Sequence, residues 1–163
     1  GAYNQLGGRF LPLGNSLTYM QGGSFSLTDF TFFVVARFSN SPCGVFNFGA
    51  LNTANLSWNG GLIRNYRVSS SASMPCPYNQ LVQVTGYSSN SLRRIWLNGE
   101  EGAQDTAVVS ATISSAPLTY SALDPTTYRM AGYIAEVIII PGTVSNTNRE
   151  AIEQNQAEYW GVV

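Results

Sequence analysis

The chain has 163 residues, of which 44% are hydrophobic and only 10% are charged, and its net charge is −1. This length and apolar content are typical of one folded domain with its own core, and they argue against disorder. Because the chain contains neither histidine nor lysine, it cannot build a histidine-activated nucleophile, an imidazole metal site, a Schiff base or a P-loop. The arginines are scattered and offer no basic patch for nucleic acid, and no apolar run is long enough to predict a membrane span.

Short apolar and alternating runs, separated by turn residues, predict an all-β chain. Residues 31–38, TFFVVARF, are apolar on both faces of the expected strand and predict a buried central strand. The Asn-Gly dipeptides at 59–60 and 98–99 are signals for hairpin turns. Shorter strands are expected in the N-terminal segments GRFLPLG, SLTYM and SFSLTDF, and the remaining predicted strands span 44–51, 56–68, 79–88, 91–101, 106–114 and 133–140.

One helix is predicted, near the end of the chain. Ser145 or Thr147 can serve as its N-cap, and Gly161 ends it. Ile152 and Tyr159 are seven residues apart and therefore share one helical face. Many short strands followed by a single helix predict a two-sheet antiparallel sandwich or jelly roll.

Three segments carry a resemblance to a known family. Residues 28–49, 79–102 and 130–161 resemble the concanavalin A-like lectin/glucanase superfamily, and in particular its laminin-G-like branch, which is common in phage and bacterial surface proteins. The final strand, its proline turn, the helix and the ending YWG are the most specific part, and the WLNG hairpin is the second. The resemblance implies an all-β, two-sheet antiparallel jelly-roll sandwich with one short C-terminal helix, formed as a single domain by residues 1–163.

Glu136 lies within an otherwise apolar predicted strand, YIAEVIII. Alternation along a strand places it on one face with Ile134, Ile138 and Ile140. Glycosidases need two carboxylates that flank the scissile bond, and the glucanases of the resembled superfamily carry paired acids on one strand face. That pair is absent here, so we expect no catalytic residue and a structural role for Glu136, with an arginine or backbone amides beside it. Arg93 or Arg94, which alternate between faces, is the expected arginine.

Aromatic and amide side chains are the candidates for ligand binding. Sugars stack on exposed aromatic rings, while amides and guanidinium groups bind their hydroxyls. Trp58 is either a ligand-binding residue or a core residue, and we expect Trp96 and Trp160 to be core or structural residues. The candidate ligand-binding residues are Trp58, Arg64, Asn65, Tyr66, Tyr87 and Asn90, with Tyr78 beside them.

The two cysteines, Cys43 and Cys76, both neighbour proline. A disulfide between them would suit an extracellular or virion setting. Two buried free thiols are the alternative, because sequence spacing does not show that two cysteines are close in space.

Calcium is the candidate metal that the resemblance implies, since many relatives bind it through Asp and Asn oxygens. The chain has three aspartates, Asp29, Asp105 and Asp124, with no DxD or DxN cluster. Asp124, in LDPTTY, is either a calcium ligand or part of an ordinary turn. We therefore expect no metal site and no cofactor.

These observations predict a non-catalytic recognition or adhesion module that binds carbohydrate on a phage or bacterial surface. The alternative is a structural virion protein, a capsid decoration or tail subunit whose partners are other protein subunits. A glycoside hydrolase is the third hypothesis, and the sequence lacks the carboxylate pair that it requires. In the first two cases the location is extracellular or virion-associated, and the chain, which begins at Gly1, is expected to be part of a larger protein or assembly.

Overall fold

The structure, a computed structural model, describes residues 11–13, 20–39, 42–49, 53–110, 113–120 and 130–162. Its elements follow in chain order: β1 (Leu11–Leu13), β2 (Met20–Leu27), β3 (Phe30–Phe38), β4 (Cys43–Phe48), β5 (Ala54–Asn59), β6 (Leu62–Arg67), β7 (Ser70–Pro75), β8 (Leu81–Ser88), β9 (Arg93–Leu97), β10 (Glu100–Glu101), β11 (Ile113–Tyr120), β12 (Gly132–Pro141) and α1 (Asn146–Trp160).

The strands form two six-stranded antiparallel sheets. Sheet A has the order β1-β12-β3-β8-β9-β10, and sheet B has the order β2-β11-β4-β5-β6-β7. The two-sheet jelly-roll sandwich with one short C-terminal helix is therefore confirmed. No helix among the described residues has the length and apolar character needed to cross a membrane.

The core lies between the sheets and is rich in phenylalanine. Phe30 and Phe32 of β3 meet Phe46 and Phe48 of β4, mostly edge to face, with ring centroids 5.1 to 6.5 Å apart. Alternate residues of β3 point outward from sheet A, and of these Thr31, Phe33 and Val35 are also buried. Helix α1 lies against β3 and β8 on that outer side, so β3 is the buried central strand that its sequence predicts.

A β-bulge in β12 changes the predicted arrangement around Glu136. Ile134 pairs with Ala36 and Glu136 pairs with Val35, so Ala135 is the extra residue. Ile134 consequently packs in the core, whereas Glu136 faces outward from sheet A, toward α1. The expectation that these two side chains share a face is wrong, because strict alternation fails at a bulge.

Two strand predictions are wrong. Residues 106–110 form no strand, and β11 instead begins at Ile113. The serine-rich segment 70–75 is β7, which was not predicted; it pairs along its whole length with β6 at the edge of sheet B. Serine is not among the residues enriched in strands, so the pairing with β6 rather than the local sequence determines this strand.

Helix α1 begins at the predicted cap and buries an unexpected face. The Ser145 hydroxyl accepts the Asn148 N–H at 3.3 Å, and Gly161 ends the helix with φ +67°. Its buried side chains are polar: Arg149, Glu153 and Gln156. Tyr159, on the predicted apolar face, is exposed.

Candidate functional site

Strand β6 separates three of the predicted ligand-binding residues. Arg64 and Tyr66 lie on the outer face of sheet B, where both are partly exposed. Asn65 points the other way and is buried, with Nδ2 donating to the carbonyls of Tyr87 and Arg94 in sheet A at 2.7 and 2.9 Å. The expectation that Asn65 contacts a ligand is wrong, because its amide links the two sheets.

Trp58 is a core residue. It is 4% exposed and lies parallel to the Phe38 ring, with centroids 6.1 Å apart and an interplanar angle of 4°. Its indole N–H donates to the Cys76 carbonyl at 3.3 Å. Because the Trp58 ring is buried, it cannot stack on a sugar from solvent as expected, and it has the alternative role of a core residue.

Tyr87 and Asn90 are placed apart from Arg64 and Tyr66. The Tyr87 hydroxyl donates to Asp29 at 3.2 Å on the outer side of sheet A. Asn90 lies between β8 and β9, and its carbonyl accepts the Val109 N–H at 2.8 Å. The predicted residues therefore form no single constellation.

A different aromatic arrangement reaches the surface at one end of the sandwich. Tyr78 lies on Trp58, with ring centroids 5.5 Å apart and planes tilted by 34°. Phe38, Trp58 and Tyr78 thus form a stack of three rings that we call the aromatic ladder. Exposure rises from 0% at Phe38 through 4% at Trp58 to 52% at Tyr78.

The outermost ring of the ladder is held in place from several directions. The Tyr78 hydroxyl donates to the Ser39 carbonyl, and the Asn79 N–H donates to the Phe38 carbonyl at 2.9 Å. Asn79 has φ +58°, a left-handed conformation that costs free energy in a residue other than glycine. The exposed ring is therefore a pre-organised platform rather than a free side chain.

The residues that directly follow Tyr78 in the chain are polar and uncharged. Asn79 and Gln80 are both exposed beside Tyr78. Residues 38–63 and 68–92, which include the ladder and the loop of Tyr78, contain no charged residue. Arg37, beside Phe38 in β3, pairs with Leu81 and brings one positive charge to the same end of the sandwich. The sequence prediction considered Tyr78 but missed Asn79 and Gln80; the proline-flanked, uncharged segment around them is the signal that could have indicated an ordered polar loop.

The outer face of sheet B offers a second polar surface. Cross-strand pairing sets Ser57 and Ser73 on either side of Arg64. Tyr66 lies between Ser71, which is partly exposed, and Asn55, which is buried, in the next row. This surface, like the Tyr78 platform, presents hydrogen-bonding groups to solvent, but it carries a positive charge at Arg64.

Glu136 accepts hydrogen bonds from the helix. Its Oε2 atom receives Gln156 Nε2 at 3.0 Å and Trp160 Nε1 at 3.1 Å. The expected pairing of a partly buried carboxylate is confirmed, but the expected partners, an arginine or backbone amides, are wrong. Glu136 and Trp160 join β12 to α1.

The arginines of LRRIW have other partners. Arg93 is fully buried and forms an ion pair with Asp105 at 2.9 Å. Arg94 faces the opposite side, as expected, and pairs with Glu101 at 2.7 Å. The guanidinium groups of Arg94 and Arg149 lie 4.6 and 4.8 Å from the centre of the Trp96 ring.

The cysteines are buried free thiols. Cys43 and Cys76 are both reduced in the structure, so the disulfide alternative is not the one observed. Burial raises the pKa of each thiol to about 12.

The described aspartates serve as hydrogen-bond and ion-pair partners. Asp29 accepts from Tyr87, and Asp105 pairs with Arg93, while Asp124 lies outside the described residues. In the part of the chain that the structure describes, no three metal-ligating side chains converge.

Comparison with known proteins finds likeness in structure rather than in sequence. No known family matches the sequence, and no curated protein matches it. The binding domain of botulinum neurotoxin serotype G matches with a TM-score of 0.69 and 12% identity, covering 89% of this chain and 42% of that one. The chain thus spans well under half the length of that binding domain.

Two further solved structures match over most of this chain. One is the native heptameric SAP-like pentraxin from Limulus polyphemus, with TM-score 0.62 and 10% identity, covering 78% of this chain and 73% of that one. The other is the CBM40 of Ruminococcus gnavus IT-sialidase bound to α2,3-sialyllactose, with TM-score 0.61 and 13% identity, covering 82% and 97%. At these identities the likeness establishes a shared β-sandwich fold.

Proposed function

We propose that this domain is a non-catalytic carbohydrate-recognition module whose sugar contacts the Tyr78 platform. The observation that carries the proposal is the aromatic ladder, which ends in a half-exposed ring fixed against Trp58. The likeness to a CBM40 solved with sialyllactose supports a sugar ligand. A laminin-G-like domain displayed on a phage or bacterial surface is the setting that the sequence resemblance implies.

The proposed mechanism is stacking combined with amide hydrogen bonds. The C–H face of a pyranose packs on the open side of the Tyr78 ring, because both surfaces are apolar there. Asn79 and Gln80 donate to and accept from the flanking hydroxyls. Since the ring is already fixed, little side-chain entropy is lost on binding.

The uncharged amides of Asn79 and Gln80 beside the Tyr78 ring favour a neutral sugar at this site. A single shallow platform gives weak affinity, which several copies on one surface raise through multivalency. The Arg64 and Tyr66 surface is the alternative location, and its guanidinium group would favour a sugar that carries a carboxylate or sulfate.

A glycan array probed with a multimeric form of the domain tests the function. We expect selective binding to a neutral glycan that Tyr78→Ala weakens by about tenfold or more. Tyr66→Ala tests the other surface, and Tyr159→Ala, on α1, is the matched control for removing an exposed tyrosine. Circular dichroism confirms that each variant is folded.

The outcomes show which surface binds the glycan, and whether the domain recognises carbohydrate at all. Loss of binding with Tyr66→Ala but not Tyr78→Ala would move the site to sheet B. A blank array would contradict carbohydrate recognition and favour a structural virion subunit, tested next by measuring mass in solution. The described surface exposes few large apolar side chains, Tyr78, Val108 and Tyr159, on three separate segments, which supports recognition over a subunit interface.

A further inference from the structure

A cleft separate from the sugar platform lies between α1 and the turn that joins β9 to β10. Its volume is about 410 Å³. The turn contributes Asn98 and Gly99, and β8 contributes Gln83. The helix and the residues after it contribute Arg149, Glu150, Glu153, Gln154, Ala157 and Val162.

The side chains that line this cleft include a buried ion pair. Arg149 donates through Nη1 to Glu153 Oε2 and through Nη2 to Glu150 Oε1, the latter at 3.0 Å. Gln83 Nε2 donates to the Glu153 carbonyl at 2.8 Å and so fixes the helix against β8. Arg149 is also held over the Trp96 ring. These contacts fix the position of the Glu153 carboxylate.

One oxygen of that carboxylate has no partner. Glu153 is 5% exposed, and its Oε1 atom is buried and accepts no hydrogen bond within the described structure, while the buried Nε of Arg149 donates none. A buried carboxylate oxygen without a donor is unfavourable. Two carboxylates, Glu150 and Glu153, line the cleft with the single guanidinium of Arg149, so the cleft has a net negative charge.

A compact cation with hydrogen-bond donors would satisfy this oxygen. A guanidinium binds a carboxylate best through both oxygens in one plane, but Arg149 already occupies Oε2 of Glu153. An ammonium needs only one oxygen at a time and has three donors. Ala157 and Val162 add apolar surface for a short methylene chain.

We propose that this cleft binds a primary alkylammonium group, carried by a lysine side chain of another protein or by a free polyamine. The chain contains no lysine, so no side chain of its own supplies the group. The site is independent of the proposed sugar platform, which is built from β3, β5 and the loop after β7.

Titration of the ¹⁵N-labelled domain with n-butylammonium, followed by NMR, tests the proposal. We expect saturable shifts at the Gln83 side-chain amide and at the Asn98 and Gly99 backbone amides. Butan-1-ol, which has the same chain without the charge, should leave these signals unchanged, and n-butylguanidinium should bind more weakly. Nα-acetyl-lysine methylamide and spermidine then show which source of ammonium binds more tightly.

Two variants complete the test. Glu153→Gln keeps the shape but removes the charge and should weaken binding by about tenfold or more. Glu158→Gln, on the same helix, keeps an acceptor for Gln154 and should change nothing. Equal shifts with butan-1-ol, unchanged affinity in Glu153→Gln, or saturable shifts confined to other residues would each overturn the proposal. The butan-1-ol comparison uses the unmodified protein, so the test stands even if Glu153→Gln unfolds.

Discussion

Burial changes the ionisation of individual side chains in this protein, and the two cysteine thiols are the simplest case. Burial raises the pKa of Cys43 to about 12, with the nearby Cys76 adding to the shift and a backbone hydrogen bond from Trp58 opposing it. Burial alone raises the pKa of Cys76 to about 12. Thiol reagents react with the thiolate, so neither residue should be reactive in the native state.

We therefore expect iodoacetamide at pH 8 to leave both cysteines unmodified in the folded protein. In urea, where the thiols regain an ordinary pKa, both should be alkylated within the same time. Intact mass measured at intervals follows the reaction. Alkylation of the folded protein at the unfolded rate would show that the thiols are accessible, and a mass two hydrogens lower, with no alkylation in urea, would reveal a disulfide.

Asp105 shows the opposite effect of its surroundings on an acid. Burial acts to raise its pKa, but hydrogen bonds from Ser70, the Ala107 N–H and Arg93 outweigh it and hold the pKa below its usual 3.8. The folded state thus favours the carboxylate. The stability that this carboxylate contributes is complete above pH 3.8 and is lost as the pH falls through the lower folded value.

Asp105→Asn should lower the free energy of unfolding by about 1–3 kcal/mol at pH 7, because it removes the negative partner of Arg93, whose guanidinium keeps its hydrogen bonds to the carbonyls of Ser89 and Ala107. The difference from the unmodified protein should shrink below pH 3.8. Glu101→Gln breaks the more exposed pair with Arg94 and should cost less than about 1 kcal/mol. Urea denaturation at several pH values measures both, and equal costs for the two variants would contradict this account.

At the scale of elements, helix α1 is attached to sheet A through polar groups rather than through an apolar stripe. Glu136 of β12 receives two donors from the helix, and Gln83 of β8 donates to the helix twice. Hydrogen bonds to a charged acceptor contribute more than neutral ones. The helix therefore depends on a few specific contacts for its position.

Glu136→Ala should lower the free energy of unfolding by about 1.5–3 kcal/mol, since it removes a charged acceptor and leaves Gln156 and Trp160 as donors without it. Hydrogen exchange of α1 amides should accelerate more than that of β3 amides, because the helix loses its attachment first. Glu158→Ala, on the exposed side of α1, is the control and should change neither quantity. Equal acceleration in α1 and β3 would show that the helix does not open separately.

The same elements show how far the sequence predicts the fold. The period-two pattern and the turn residues identify β3, β8, β9 and β12, because strong apolar alternation is a local property. Strand β7 and the bulge at Ala135 depend on pairing with a partner strand, and the local sequence does not show which strand that is or in which register it pairs. For the same reason the spacing of Ile152 and Tyr159 shows that they share a helical face but not which face is buried, and the contacts with sheet A bury Arg149, Glu153 and Gln156.

For the whole molecule, the candidate site was harder to predict than the fold. Residue type indicates aromatic and amide side chains as candidates, but whether each one reaches solvent depends on which way its strand faces. Adjacent residues of β6 divide between solvent and core, so Arg64 is available to a ligand and Asn65 is not. Tyr78 gains its proposed role from Trp58, a residue 20 positions earlier whose ring lies beneath it.

Asn65 links the two sheets across the core, which makes it a test of how the whole sandwich is held together. Asn65→Leu should lower the free energy of unfolding by about 1–3 kcal/mol, because it leaves the carbonyls of Tyr87 and Arg94 without their donor. Asn55→Leu is the control: Asn55 is also buried on the neighbouring strand, but it lies on the outer face of sheet B, opposite Tyr66, and its Oδ1 has no hydrogen-bond partner among the described residues. Urea denaturation should therefore show a smaller loss, or a gain, for Asn55→Leu. If the two variants cost the same, the hydrogen bonds between the sheets contribute little, and side-chain packing alone holds the sandwich together.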